Sequence, residues 1–181
     1  MPLTHRYHQY CKARTAEIYS QDIELVRKYL TKPEQVLFYR MPVADQRHSL
    51  DVAGHLLAQL KKGQSTEKTN DIVTVALLHD TGKTAAPFSL PGRGLYVVLK
   101  KIFHPLPWLW TGLTGLGKHP KSNLWLRNLY VMQHHARIGA ELLKEIATRP
   151  AVVKMVAKHG DPSAFPNSPE FLLFTDLDRV N

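Results

Sequence analysis

The sequence has almost no cysteine: Cys11 stands alone among 181 residues, and a lone cysteine cannot form an internal disulfide. The first ten residues, MPLTHRYHQY, lack the apolar core of a signal peptide. The most apolar stretch, LYVVLKKIFHPLPWLWTGLTGL, is interrupted by two lysines, a histidine and two prolines, so it cannot supply a membrane span. We therefore expect a cytoplasmic protein without a transmembrane segment, and a peripheral membrane contact stays open.

The chain also lacks a convincing β pattern, an internal repeat and a low-complexity tract. The β-branched run DIVTVALLHD would suit a buried strand, but no second run alternates as a pairing strand would. A chain of 181 residues with 44% hydrophobic residues can bury a core of several helices. We predict one all-α domain over residues 1–181.

Helical periodicity divides this domain into N-terminal packing helices within 1–42 and a core over 43–181. The predicted helices cover residues 13–30, a short segment after Pro33, 43–61, 71–79, 123–147, 149–159 and a last element with Ser168 as its N-cap. KKGQSTEKTN is expected to be a loop, and Gly82 a helix C-cap. Residues 84–122, rich in Pro and Gly and containing Trp108 and Trp110, are interpreted as an insertion with one helix near 93–103.

Charge favours an anionic partner, because 24 Lys and Arg residues face 15 Asp and Glu residues and give a net charge of +9. No established nucleic-acid motif accompanies the excess, so we predict no specific nucleic-acid binding. The expected partner is a phosphate-bearing small molecule, with a nucleotide as the first choice. Lys100 and Lys101 with the two tryptophans could form a lid, a lipid-facing patch or a nucleic-acid surface, or simply pack on the core.

Six polar residues lie on apolar faces of five predicted helices. They are His48, His79, Asp80, His135, His159 and Asp176. A single histidine in such a place is ordinarily a hydrogen-bonded core residue, but a buried carboxylate needs compensation for its charge. One or two divalent ions would supply it, and imidazole and carboxylate ligands suit Mn, Fe, Co, Ni or Zn, with Mg also allowed. Asp80 is the natural bridge between two ions.

These residues resemble the signature of the HD-domain superfamily of metal-dependent phosphohydrolases. HSLDVAGHL is similar to its first-histidine helix, ALLHDTGK to its metal-binding turn and FLLFTDLDRVN to its closing helix. HHARIGAELL resembles the HPxxGAELL segment of two-metal branches and aligns His135, although the neighbouring His134 stays an alternative; VVKMVAKHG aligns His159. The resemblance covers about residues 45–181 and implies a bundle of about six to eight helices.

The resemblance further implies cleavage of a phosphate ester, of a nucleotide or cyclic nucleotide, by a metal-bound hydroxide. Asp80 and Lys83 would then be catalytic, and Lys83, Arg47 and Arg137 would bind substrate. The GYP motif of the cyclic di-GMP branch is absent. An HD-type diiron oxygenase and a nucleotide-binding regulatory module stay open, as does Asp178 in place of Asp176.

Overall fold

The computed structural model describes residues 15–60, 67–86, 90–119 and 121–181, and these ranges contain helices and no strand. The predicted all-α fold is confirmed. The described residues form nine α-helices. They are α1 (Ser20–Tyr29), α2 (Lys32–Arg40), α3 (Val43–Gln59), α4 (Glu67–Leu78), α5 (Leu90–Ile102), α6 (Pro107–Gly115), α7 (Leu124–Glu145), α8 (Pro150–Ala157) and α9 (Pro169–Val180).

Most helix boundaries agree with the sequence prediction, and the exceptions have local causes. The described part of the first predicted helix begins only at Ser20, because the Asp22 carboxylate accepts the Tyr19 backbone N–H at 2.8 Å and caps the helix there. Helix α4 begins at Glu67, inside the predicted loop. The insertion contains a second helix, α6, because Pro107 stands in its first turn, where proline is tolerated. The described helices therefore outnumber the predicted six to eight. Residues 1–14 and 61–66 of the predicted elements lie outside the described residues.

Helix α4 is the centre of the main core. Every residue from Asp71 to Asp80 is buried, and α3, α8 and α9 pack around the helix together with α1 and α2. The interpretation of DIVTVALLHD as a buried helix is confirmed. The insertion has a smaller core of its own, in which Tyr96 of α5 and Trp110 of α6 pack against Leu129 of α7. Within the described ranges, no helix is both long and apolar enough to cross a membrane.

Gly82 is not the C-cap of a helix, contrary to the sequence prediction. Helix α4 ends at Leu78, and Gly82 lies in a following 3₁₀ turn, Thr81–Ala85. A Cβ atom on Gly82 would overlap the backbone carbonyl oxygen of His135 and lie 2.6 Å from the backbone nitrogen of Gly139. The glycine is needed because the turn lies directly against the backbone of α7. This close approach fixes Asp80 relative to His135.

Replacing Gly82 with alanine should lower the free energy of unfolding by about 3 kcal/mol or more, because neither backbone can yield to the added methyl group without separating the turn from α7. Gly54→Ala is the matched control, since Gly54 is an exposed position inside α3 with no atom within 4 Å of the added Cβ. It should raise the stability by up to about 1 kcal/mol through helix propensity. Urea unfolding followed by circular dichroism measures both. Equal tolerance of the two substitutions would contradict the close packing.

Candidate metal centre

Side chains from several helices meet beside the buried end of α4. His79 and Asp80 directly follow α4 and are 1% and 2% exposed, so both side chains are fully inside the protein. His48 comes from the middle of α3, His135 from α7, and His159 follows α8. The structure therefore brings together five of the six residues that the sequence analysis selected.

The sixth residue, Asp176, lies outside the cluster, so its prediction as a metal ligand is wrong. Asp178 lies at the cluster in its place. The Asp176 side chain is 70% exposed and pairs with Arg179 at 3.0 Å. The Asp178 Oδ1 atom lies 2.9 Å from His48 Nε2 and 3.3 Å from His79 Nε2. Positions two apart on a helix point about 200° away from each other, so only one of these aspartates can face the cluster.

The inner face of α9 is determined by its fully buried residues. Asp176 shares one side of α9 with Val180, four residues later, and Val180 is exposed. The inner face instead carries Phe171 and Phe174, both fully buried. Positions 171, 174 and 178 follow the three- and four-residue spacing of one helix face, which brings Asp178 to the site.

Three of the histidines are oriented by the same local contact. The Nδ1 atoms of His79, His135 and His159 lie 2.9, 2.8 and 2.9 Å from the backbone carbonyl oxygens of Ala76, Met132 and Val156, respectively. A carbonyl can only accept, so each Nδ1 carries the hydrogen, and the Nε2 atom of the neutral ring presents a lone pair to the cluster. Metal-binding histidines are commonly oriented by such a contact.

The ligand atoms form two groups that share Asp80. His48, His79 and Asp80 form one group, and Asp80, His135 and His159 form the other, each with its atoms within 4.8 Å of one another. Asp80 directs Oδ2 toward His79 Nε2 at 3.5 Å and Oδ1 toward His135 Nε2 at 3.6 Å. The two buried groups could each hold a metal ion, with Asp80 between them.

The spacing of the nitrogen atoms fits ligation. His135 Nε2 and His159 Nε2 are 3.2 Å apart, so the lone pairs of two neutral rings would repel unless a cation or a proton lay between them. Two imidazole nitrogens on one zinc-like ion, each at about 2.0–2.1 Å, are about 2.8–3.4 Å apart at ligand angles between octahedral and tetrahedral. The buried Nε2 atom of His79 makes no well-aligned hydrogen bond, and a cation would satisfy it as well.

The electrostatics of the cluster favour a positive charge between its carboxylates. Burial opposes protonation of the His79 imidazole, but Asp80 and Asp178 outweigh burial and raise the pKa of His79 to about 9. Burial would by itself raise the pKa of Asp80, yet Lys83 and His79 hold that pKa well below its usual range. Burial and the neighbouring His79 and His135 lower the pKa of His159 to about 4, so this ring stays neutral and available as a ligand.

Lys83 belongs to the site. Its Nζ atom lies 2.5 Å from Asp80 Oδ2 and 3.8 Å from Asp45 Oδ1, and its side chain is 17% exposed. Lys83 is therefore not a freely solvated lysine. Asp45 was missed by the sequence analysis, although its position three residues before His48 places it one helical turn away on the same face.

The two arginines predicted to bind substrate, Arg47 and Arg137, differ in their contacts. The Arg47 guanidinium binds Asp22 at 2.6 Å and Asp51 at 2.9 Å. These bonds tie α1 to α3, and the substrate contact of Arg47 stays a prediction. Arg137 is exposed and donates to the Tyr130 hydroxyl at 2.9 Å. Its substrate contact stays a prediction.

The adjacent residues His134 and His135 make different contacts. The His134 ring packs at a tilt against Tyr130, with ring centroids 4.5 Å apart, whereas the His135 ring lies 5.1 Å from that of His159. His135 is thus the candidate ligand of the doublet. His55, seven residues after His48 on α3, is exposed.

Comparison with protein-family models, curated proteins and solved structures found no match to this chain. The class that the fold and the site define is therefore an all-helical protein with buried histidine and aspartate clusters that could hold a metal ion.

Proposed function

We propose that this chain is a metal-dependent phosphohydrolase of the HD-domain type, which cleaves a phosphate ester of a nucleotide or cyclic nucleotide. The observation that carries the proposal is the position of Asp80, which is shared by two buried groups of possible ligands. Shared carboxylates are a means of holding two ions close enough to act on one phosphoryl group. The order of His48, the pair His79–Asp80 and the late Asp178 along the chain supports the HD assignment.

The donor set fits divalent transition metals. His48, His79, Asp80 and Asp178 would hold one ion, and Asp80, His135 and His159 the second. A bound ion of this kind supplies Lewis acidity, which polarises a phosphoryl oxygen and lowers the pKa of a coordinated water. Imidazole and carboxylate ligands suit Mn, Fe, Co, Ni and Zn.

In the proposed reaction, the chain itself orients the metal-binding side chains and neutralises charge. The backbone carbonyls that hold the three Nδ1–H groups fix the ring orientations, which reduces the reorganisation needed during the reaction. Lys83 balances the Asp80 charge, and the same ammonium can donate to an oxygen of a phosphate at the cluster. Asp45 keeps Lys83 directed inward.

The proposal is tested with protein purified without chelator. Its metal content is measured by mass spectrometry. Hydrolysis is followed anaerobically as phosphate release from nucleoside monophosphates and nitrophenyl phosphate, and as formation of the nucleoside monophosphate from cyclic nucleotides. We expect turnover that chelation abolishes and that a divalent metal restores. Oxygen-dependent turnover with bound iron would instead indicate a diiron oxygenase. Tight nucleotide binding without turnover under any metal would indicate a regulatory module.

Replacing Lys83 with glutamine should lower kcat/KM by about 10²–10³-fold, the usual effect of losing one preorganised donor to a developing charge. The metal content should stay close to that of the unmodified protein, because Lys83 is not a ligand. Lys144→Gln is the matched control, since Lys144 also pairs with an acid three residues earlier, Glu141 at 3.1 Å, but is exposed. Steady-state kinetics with the best substrate of the panel decides. Equal effects of the two substitutions would remove Lys83 from the reaction.

A further inference from the structure

The net charge of the chain is concentrated in one region. Residues 81–140 contain eight Lys and Arg residues and no Asp or Glu. They thus carry +8 of the net charge of +9. This stretch includes α5, α6 and most of α7. Seven of these eight cations lie outside the metal cluster to which Lys83 belongs, and a positive excess of this size favours a polyanionic partner.

The same region carries most of the large apolar side chains that face solvent. In the described part of the chain, nine of the 14 exposed large hydrophobic residues lie between positions 95 and 125. They are Leu95, Val98, Ile102, Leu106, Trp108, Leu109, Leu116, Leu124 and Trp125. Single exposed apolar residues are ordinary, but a concentration of them marks an interaction surface.

Helix α5 has one face that packs on the protein and another that is exposed to solvent. Leu95, Val98 and Ile102 recur at three- and four-residue spacing and therefore form one exposed stripe. Tyr96 packs on the other side, with its ring 5.5 Å from that of Trp110. The exposed stripe is thus not needed for the insertion's own core.

Basic and aromatic side chains accompany the stripe. Lys100 and Lys101 lie in the last turn of α5, and both are exposed. Trp108, at the start of α6, is 70% exposed. Tryptophan and lysine beside exposed aliphatic residues are typical of a helix that lies in the interface of a bilayer.

We infer that α5, the following turn and α6 bind the surface of an anionic lipid bilayer, with Trp108 and Ile102 inserted among the headgroups and Lys100 and Lys101 paired with lipid phosphates. Charge complementarity selects this occupant. A second copy of the chain would bring a like-charged region of +8 against its own. A nucleic acid would satisfy the lysines but leave the aliphatic stripe in water. Membrane binding would give this chain a surface function independent of the proposed hydrolysis.

The experiment is co-sedimentation of the full chain with phosphatidylcholine vesicles, with and without phosphatidylglycerol, in the absence of substrate. We expect at least about tenfold stronger binding to the anionic vesicles, which falls as salt is raised. Lys100→Gln combined with Lys101→Gln should weaken this binding by about tenfold or more. Trp108→Ser combined with Ile102→Ser should abolish the blue shift of tryptophan fluorescence on binding.

The matched control is Val36→Ser combined with Tyr39→Ser, two exposed apolar positions on α2 outside the acid-free region. It should bind vesicles as the unmodified chain does. Equal binding to neutral and anionic vesicles, or no binding to either, would overturn the inference. Displacement of the protein from vesicles by duplex DNA or RNA at a phosphate concentration below that of the anionic lipid would also overturn it. A dimer in sedimentation velocity that the Trp108 and Ile102 substitutions dissolve would assign the surface to self-association instead. The salt dependence of the unmodified chain decides the question even where a variant fails to fold.

Discussion

Asp80→Ala is expected to remove bound metal and to lower phosphate release by at least about 10³-fold, since metal-ion stabilisation of a phosphoryl transition state is worth several kcal/mol. Asp80 is the one residue common to both ligand groups, so its loss weakens both positions at once. Removal of a single terminal ligand would weaken only one. Metal content by mass spectrometry and the initial rate of phosphate release measure the two effects together.

A buried aspartate outside the cluster provides the control for Asp80. Asp71 is buried on α4 and pairs with Arg149 at 2.5 Å. Asp71→Ala should cost stability because it breaks this pair, but it should leave the metal content unchanged. Asp80→Asn tests the charge with the shape preserved, in case the alanine variant does not fold. Hydrolysis undiminished in a folded Asp80 variant would contradict the proposed mechanism.

Asp178→Asn is expected to weaken metal binding, whereas Asp176→Asn should not, although the two residues are near neighbours on α9. Asp178 Oδ1 lies within 3.3 Å of two histidine Nε2 atoms, so its loss should reduce metal affinity by about 10- to 100-fold or more. Asp176 pairs only with the exposed Arg179 side chain, an interaction worth about 0–1 kcal/mol. Its replacement should therefore leave metal content and phosphate release as they are.

Metal titration of the two variants decides this pair. Each variant is stripped by chelation, dialysed and titrated with Mn²⁺ or Zn²⁺ by calorimetry. Loss of affinity in the Asp176 variant with full affinity in the Asp178 variant would reverse the assignment made from the structure. Neither substitution changes the size of the side chain, so a difference between them reports the carboxylate alone.

The amino-acid sequence by itself determined the helical fold and most of the site. Apolar residues at three- and four-residue spacing specify helices through local geometry. The need to compensate buried charge singles out His79 and Asp80 at the end of an apolar helix. The helical spacing and the buried charge can both be recognised without any knowledge of tertiary contacts. For this reason five of the six residues selected from the sequence lie together in the structure.

Only the tertiary structure decided between residues whose local patterns are equivalent. Asp176 and Asp178 have the same chemistry on one helix, and the packing of Phe171 and Phe174 into the core turns Asp178 inward. The ion pair of Arg47 with Asp22, 25 residues away, likewise could not be predicted from the local sequence pattern. These outcomes depend on contacts between distant segments. Helical periodicity fixes which side chains share a face, and the neighbouring helices determine what that face meets.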